Sequence, residues 1–250
     1  MRISRTEARD SHSCLVARKA IYRRYGYDVD RSISFVLSKA LPLSGHVLEI
    51  GTGKGRFLAA LLQHAPRVTT IDLDPAEQRV ARSNIAHERP PGRVTFRVAD
   101  AGNLPWKERA FDAVVSMNAL HHIRNLSRVV DEAIRVVRPS GKIVLADFNR
   151  NGFSAMDKIH RQEGRVHERV RYRMRDIVAQ FTARGWAAIV SSGDCQDLLI
   201  AVKKSANDAG GDGSQVEAGQ KIRTRQIPAP TRSEAAWLTL VLFVVGIVGG

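Results

Sequence analysis

The sequence predicts an α/β protein built on a mainly parallel seven-stranded sheet, with helices on both faces and one antiparallel strand. Three observations carry this prediction. Short apolar runs of strand length recur along the chain, and between them lie longer segments whose apolar residues fall at helical spacing. That alternation is the pattern of parallel strands linked by crossover helices. Only the last two strands are joined by a short connection, GDCQ, which is hairpin length, so the sheet is expected to end in one antiparallel strand.

The elements follow in order. Ahead of the first strand, HSCLVARKAIYRRYGYDVDRSISFVLSKALPLSG reads as two helices, a cap over residues 1–44. The main domain, 45–204, opens with the strand HVLEI (46–50) and continues with RVTTIDL (67–73), RVTFRV (93–98), FDAVVSM (111–117), KIVLADF (142–148), WAAIVSS (186–192) and DLLIAVK (197–203). The helical patterns between them are GRFLAALLQHA, PAEQRVARSNIAHE, LSRVVDEAIRVV and ERVRYRMRDIVAQFTARG. Residues 149–168 form an insertion after the fifth strand, a place where substrate selectivity can be built. Residues 205–233 are rich in Gly, Ser, Ala, Gln and Pro without periodicity and read as a linker. No internal repeat is visible.

The last stretch, AAWLTLVLFVVGIVGG (235–250), carries no charge. A helix of that length spans about 24 Å, short of the roughly 30 Å hydrocarbon core of a bilayer. It reads as a thin tail anchor, an interfacial helix, the start of a longer span, or an apolar tail that packs on protein. Lys221, Arg223, Arg225 and Arg232 precede it and favour the cytoplasmic face.

Composition sets outer limits. An apolar content of 44% is that of a globular core, which excludes disorder or a fibrous fold for most of the chain. Cys14 and Cys195 form neither a disulfide framework nor a metal spacing. The charged N-terminus MRISRTEARDSHS has no secretory apolar core. Both observations point to the cytoplasm. The net charge of +14 is compatible with nucleic acid, an anionic membrane surface, an anionic substrate or a solvated basic surface, and by itself selects none of them.

The first strand breaks into a glycine-rich turn, VLEIGTGKGRF, with glycines at Gly51, Gly53 and Gly55. A dinucleotide site has the pattern G-x-G-x-x-G, and Arg56 stands where its third glycine belongs. Glu49 precedes the loop, and a carboxylate there repels a pyrophosphate but suits a cationic amine. The helix that follows offers free N–H groups and the positive end of its dipole. A ligand with both an ammonium and a carboxylate satisfies both features, as the methionine end of S-adenosylmethionine does. Asp72 ends the second strand, where an acid accepts hydrogen bonds from ribose hydroxyls. Asp100 follows the third, where an acid accepts from an adenine amine. Three acids at the carboxyl ends of successive strands mark the crevice of such a sheet.

These residues carry a resemblance. VLEIGTGKG, VTTIDLDP, VADAGNLPWKERAFDAVVSMNALHHI and AIRVVRPSGKIVLADF, over about residues 45–148, resemble the Rossmann-like class I S-adenosylmethionine-dependent methyltransferases, and within them the ubiquinone/menaquinone C-methyltransferase-like group. The resemblance implies S-adenosylmethionine as cofactor, with Glu49 and the backbone at Gly51 and Gly53 on the methionine part and Gly55 completing the loop. It further implies Asp72 on the ribose, Leu73 against the adenine, Asp100 and the backbone of Ala101 on the adenine edge, and Asn118 beside the methionine. RPSG departs from the family's usual pair of glycines, and its turn rests on Gly141.

In-line attack on an activated methyl needs alignment first, and a base only where the acceptor must lose a proton. The loop MNALHH after the fourth strand lacks the Asn/Asp-Pro-Pro-aromatic signature of nucleic-acid amino methylation, and no cysteine lies there for cytosine C5 chemistry. The expected acceptor is therefore a small molecule or a lipid- or quinone-like one, with nucleic acid disfavoured. If the insertion IHRQEGRVHE is helical, His160, Glu163 and His167 share one face, although Gly164 weakens the helix. His160, His167 and His121 are the candidate catalytic imidazoles; their spacing matches no zinc motif and no metal is expected. Arg161, Arg165, Arg169, Arg171, Arg173 and Arg175 suggest an anionic acceptor or anionic headgroups. An RNA- or protein-directed methyltransferase, and a non-catalytic cofactor-binding scaffold, are the alternatives. A nicotinamide-dependent oxidoreductase is disfavoured by Glu49 and Arg56.

Overall fold

A computed structural model describes residues 3–204. The expected linker (205–233) and apolar tail (235–250) lie outside the described residues. Among the described residues no helix is long and apolar enough to cross a membrane.

Seven strands form one sheet: β1 (His46–Ile50), β2 (Arg67–Asp72), β3 (Arg93–Val98), β4 (Phe111–Met117), β5 (Val137–Phe148), β6 (Trp186–Ser192) and β7 (Gln196–Lys203). Their spatial order is β3-β2-β1-β4-β5-β7-β6. All pairings among β1 to β5 are parallel, and β7 runs antiparallel to both β5 and β6. The single antiparallel strand is thus present but does not end the sheet. β7 inserts between β5 and β6, and the edge is β6. A hairpin-length link fixes the pairing of β6 with β7 but not which of them reaches β5.

Side chains alternate across the sheet as strand geometry requires. Val115, Met117, Val144 and Ala146 face one apolar layer, whereas Val114, Ile143 and Leu145 face the other. The first layer is closed by α1 (Arg5–Arg24), α2 (Val29–Ala40), α3 (Arg56–Leu61), α4 (Pro75–Glu88) and α6 (Arg150–Gln162). The second is closed by α5 (Leu126–Val136) and α7 (Met174–Ala183), which bury Val129, Val130, Ile177 and Phe181. Helix starts are set by local chemistry: the Asp28, Asp74, Asn125 and Asn149 side chains each accept from first-turn N–H groups.

Three boundaries differ from the sequence reading. β5 begins at Val137 because RPSG is taken into the strand as an irregularity between the Phe111–Val137 and Ala113–Lys142 pairs, not as a free turn. Gly141 is needed there, since a Cβ would lie 2.5 Å from the carbonyl oxygen of Asp112. The insertion is helical only to Gln162, and Gly164 takes φ +67°, beyond which the chain runs back irregularly to Arg173. α7 accordingly starts at Met174 and not near residue 168.

Strand order reverses between β1 and β4, and the carboxyl ends of these strands open the crevice in which a doubly wound sheet takes its ligand. α1, α2, α6 and the returning segment cover that end and supply the remaining walls.

Candidate active site

Two cavities open at the carboxyl ends of the strands. The larger, about 750 Å³, is lined by Asp72, Leu73, Asp100, Ala101 and Arg128 among others. The smaller, about 260 Å³, is lined by Tyr27, Arg56, Met156, His121, His160 and His167 among others. Gly51, Gly53, Glu77, Asn118 and His122 border both, so the two meet at the glycine loop.

The glycine loop is built for close approach. Gly51 has φ +87°, and a Cβ on it would fall 2.4 Å from the Ala119 methyl group. Gly55, φ +79°, starts α3; a Cβ there would meet the Ala81 Cβ of α4 at 3.1 Å. Gly55 lines neither cavity, and its role in the described structure is to let α3 pack on α4. This is the close-packing job that the third glycine of a dinucleotide loop performs.

The N–H groups of the first three loop residues are engaged inside the protein. Those of Gly51 and Thr52 donate to the Ile71 carbonyl at 2.9 and 3.0 Å, and that of Gly53 donates to Asp72 Oδ2 at 2.8 Å. The unused polar atoms lie on side chains. Glu49 is buried under the loop at 1% exposure, and its Oε2 accepts from Thr70 Oγ1 at 2.5 Å. Its Oε1 has no donor among the described residues. Burial, with the nearby charge of Asp72, pushes its carboxyl up to about 8. Arg56 reaches over the Tyr22 ring, 5.2 Å from its centroid, and its Nε and Nη2 are buried without an acceptor among the described residues. Sequence reasoning noted Arg56 only as a missing glycine. Here it lines the smaller cavity.

Asp72 spends Oδ2 on Gly53 and Oδ1 on the Asp74 N–H at 3.1 Å, which holds its carboxylate at the cleft wall. Leu73 is 69% exposed within the larger cleft, an apolar face without a protein cover. Asp100 accepts from Gly102 N–H at 2.8 Å, beside the buried Ala101. Asn118, at φ +58°, donates from Nδ2 to the Tyr27 hydroxyl at 2.9 Å, while its Oδ1 is buried without a partner among the described residues.

The imidazoles converge on the smaller cavity. His121 and His122 sit on the 3-10 turn after β4, and the returning segment brings His167 to both, with ring centroids 5.2 and 6.0 Å away. His160 packs on His167 at 4.6 Å, and its Nδ1 is buried without a partner among the described residues. Burial, reinforced by His121 and His160, holds His167 down at about 4, and burial lowers His122 and His160 as well. Behind His121 lies Asp147 at the end of β5, fully buried. It accepts from the His121 ring at 2.7 Å, from the His121 and Phe148 N–H groups at 2.8 Å each, and from the Tyr172 hydroxyl at 2.6 Å. Sequence reasoning missed Asp147 and Tyr172, although an acid inside the apolar run KIVLADF is a visible signal. Glu163 leaves the imidazole group: it pairs with Arg18 of α1 and with Arg165, which hold its carboxyl down at about 2. Arg169 is likewise engaged, with Asp157 and over the Phe153 ring.

Known proteins share parts of this sequence and this fold. Residues 48–145 match a protein family described as a methyltransferase domain. The ubiquinone biosynthesis O-methyltransferase of Xylella fastidiosa is 34% identical over 46% of this chain and 46% of its own length. The 27-O-demethylrifamycin SV methyltransferase of Amycolatopsis mediterranei is 34% identical over 45% of this chain and 42% of its own length. The chain therefore aligns with less than half of these curated relatives. Among solved structures, an S-adenosylmethionine-dependent methyltransferase from Aquifex aeolicus superposes with a TM-score of 0.53 at 15% identity, covering 68% of this chain and 88% of that one, a likeness of fold. The glycine loop and the acids at the strand ends fall within the segment 48–145 that matches the methyltransferase-domain family, and the sheet that carries them has the fold of the solved S-adenosylmethionine-dependent methyltransferase.

Proposed function

We propose that this protein transfers a methyl group from S-adenosylmethionine to a small acceptor that presents an oxygen nucleophile on a ring. The observation that carries the proposal is a complementary pair on one strand–loop–helix unit. Among the described residues Glu49 Oε1 has no donor and Arg56 Nε and Nη2 have no acceptor; Arg56 lines the smaller cavity, and Glu49 lies buried behind the glycine loop that borders both. Buried unpaired polar atoms are costly. A zwitterionic amino-acid group satisfies both at once, its ammonium on Glu49 and its carboxylate on Arg56. Asp72 is positioned for a ribose, and Leu73 with Asp100 for an adenine. When bound, S-adenosylmethionine supplies a methyl group already activated on its sulfonium.

The rest of the work falls to the chain's own residues. Tyr27, Met156 and Phe148 give the smaller cavity apolar walls, and His122 and His167, both held below the usual imidazole range by burial, give it proton acceptors. His121 is oriented by Asp147, to which its Nδ1 donates, so that Nε2 is the ring nitrogen turned away from the carboxylate. At about 260 Å³ the cavity is below the range of drug-sized sites, which favours a single ring such as a quinol headgroup over a bulky polycycle. The names of the relatives, among them a ubiquinone biosynthesis enzyme, support a ring acceptor of this kind. The charge-free segment 235–250 supports a place on the cytoplasmic face of a membrane, where a lipid-like acceptor is met. Isothermal titration with S-adenosylmethionine and with NAD⁺ tests the cofactor reading. Binding of the first alone is expected, and binding of NAD⁺ alone overturns it.

A further inference from the structure

We infer that His121, His122 and His167 form a divalent-metal site at the junction of the two cavities, with Zn(II) or another imidazole-preferring ion as the ligand. One ring nitrogen from each of the three lies within 4.8 Å of the others. Zn–N bonds of about 2.0–2.1 Å in a tetrahedral arrangement put ligand nitrogens about 3.4 Å apart, so small ring movements of roughly 1 Å close the set.

The second and independent observation is what stands behind the rings. His121 Nδ1 donates to Asp147 at 2.7 Å, and His167 Nδ1 is paired with Asp157 at 3.3 Å. Metal-bound histidines take this arrangement, in which a carboxylate on one ring nitrogen orients the other toward the ion and raises its basicity. Asp147 is itself fixed by two backbone N–H groups and Tyr172. So much support for one buried imidazole exceeds what packing requires.

The donor set selects the ion. Three imidazoles and no carboxylate in the inner set suit Zn(II), Fe(II), Co(II) or Ni(II) and disfavour Mg(II) and Ca(II), which prefer oxygen. Three protein ligands leave one position open, as in catalytic zinc sites. His122 borders both cavities, so that position faces the place where acceptor and methyl donor meet. An acceptor hydroxyl bound there loses its proton more readily. His160 lies edge-on to the His167 ring, with Nδ1 unpartnered among the described residues. This purpose rests on the methyl-transfer reading; the ion site itself does not.

The test uses the full, untagged chain stripped with chelator and titrated with Co(II) alone, which reports its coordination through visible d–d bands. One equivalent giving intense four- or five-coordinate bands, displaced by one equivalent of Zn(II), is the expected result. His122→Ala and His167→Ala are each expected to weaken Co(II) binding at least tenfold. Asp157→Asn is expected to weaken it about 10- to 100-fold. Circular dichroism of each variant checks the fold, and His122→Ala, at an exposed position, is the safer of the two. Absence of the bands in the wild type, or wild-type affinity in both histidine variants, overturns the inference. S-adenosylmethionine binding, measured separately by calorimetry, reports on the methyl-transfer reading alone, so the two readings fail separately.

Discussion

Replacing Glu49 by Gln removes one charge from the buried carboxyl and keeps its size and its ability to accept from Thr70. In the free protein burial holds this carboxyl at about 8, so near pH 7 only about one in ten molecules carries the anion. An ammonium set against Oε1 requires that anion. Binding therefore expels a proton near pH 7, and the apparent affinity rises about tenfold from pH 6 to pH 7 before it flattens, as Glu49 becomes ionised and the ligand's own ammonium begins to lose its proton near pH 8. Glu49→Gln removes the slope and, by deleting a hydrogen bond between charged groups of about 1.5–3 kcal/mol, weakens binding at pH 8 about 10- to 150-fold. Calorimetry in buffers of different ionisation heat measures both the affinity and the released proton. A corollary concerns the free protein. The folded value lies above the ordinary 4.5, so wild-type stability falls as pH rises from 4.5 to about 8, and the variant lacks this loss. A pH-independent affinity shared by wild type and Glu49→Gln refutes the reasoning.

Three further outcomes are expected. Arg56→Met should weaken S-adenosylmethionine about 10- to 150-fold, for the loss of one charge-assisted pair, and leave methylthioadenosine, which has no amino-acid end, bound as in the wild type; equal losses for both ligands contradict the assignment. Gly51→Ala combines a left-handed backbone, costing roughly 1–2 kcal/mol, with a methyl group 2.4 Å from the Ala119 Cβ, and should reduce cofactor affinity at least tenfold by calorimetry. Tyr172→Phe removes one of four donors on Asp147, which should cost about 1.5 kcal/mol and lower Tm by about 3–6 °C in a thermal scan.

Much of the fold was legible because it rests on local periodicity. Residues such as Val114 and Val115, or Ile143 and Val144, alternate between two apolar layers, and that alternation is written in the strands themselves. The position of β7 was not legible, because a short connection says that β6 and β7 pair and nothing about their neighbours. Asp72 and Asp100, which line the larger cavity, were readable from their places after strand ends, and Leu73 entered only through the resemblance. The engagement of the Gly51 and Thr52 N–H groups was not legible, because whether an N–H is free depends on carbonyls such as that of Ile71, one strand away. The convergence of His121, His122 and His167 was hidden for a similar reason. The helix that ends at Gln162 and the segment that folds back from Gly164 bring His167 across, and no spacing in the sequence encodes that return. Gly164 is the visible trace of it.

The central claim is methyl transfer to a small molecule, and the most direct measurement follows the methyl group. Purified protein is incubated with methyl-labelled S-adenosylmethionine and an extract of its own cells, and the label is partitioned among small organic molecules, nucleic acid and protein. Label in an organic-extractable, low-molecular-weight product, reduced by Glu49→Gln at pH 8 and subsaturating cofactor, is the predicted result. Label confined to RNA or protein, or no transfer at all, contradicts it.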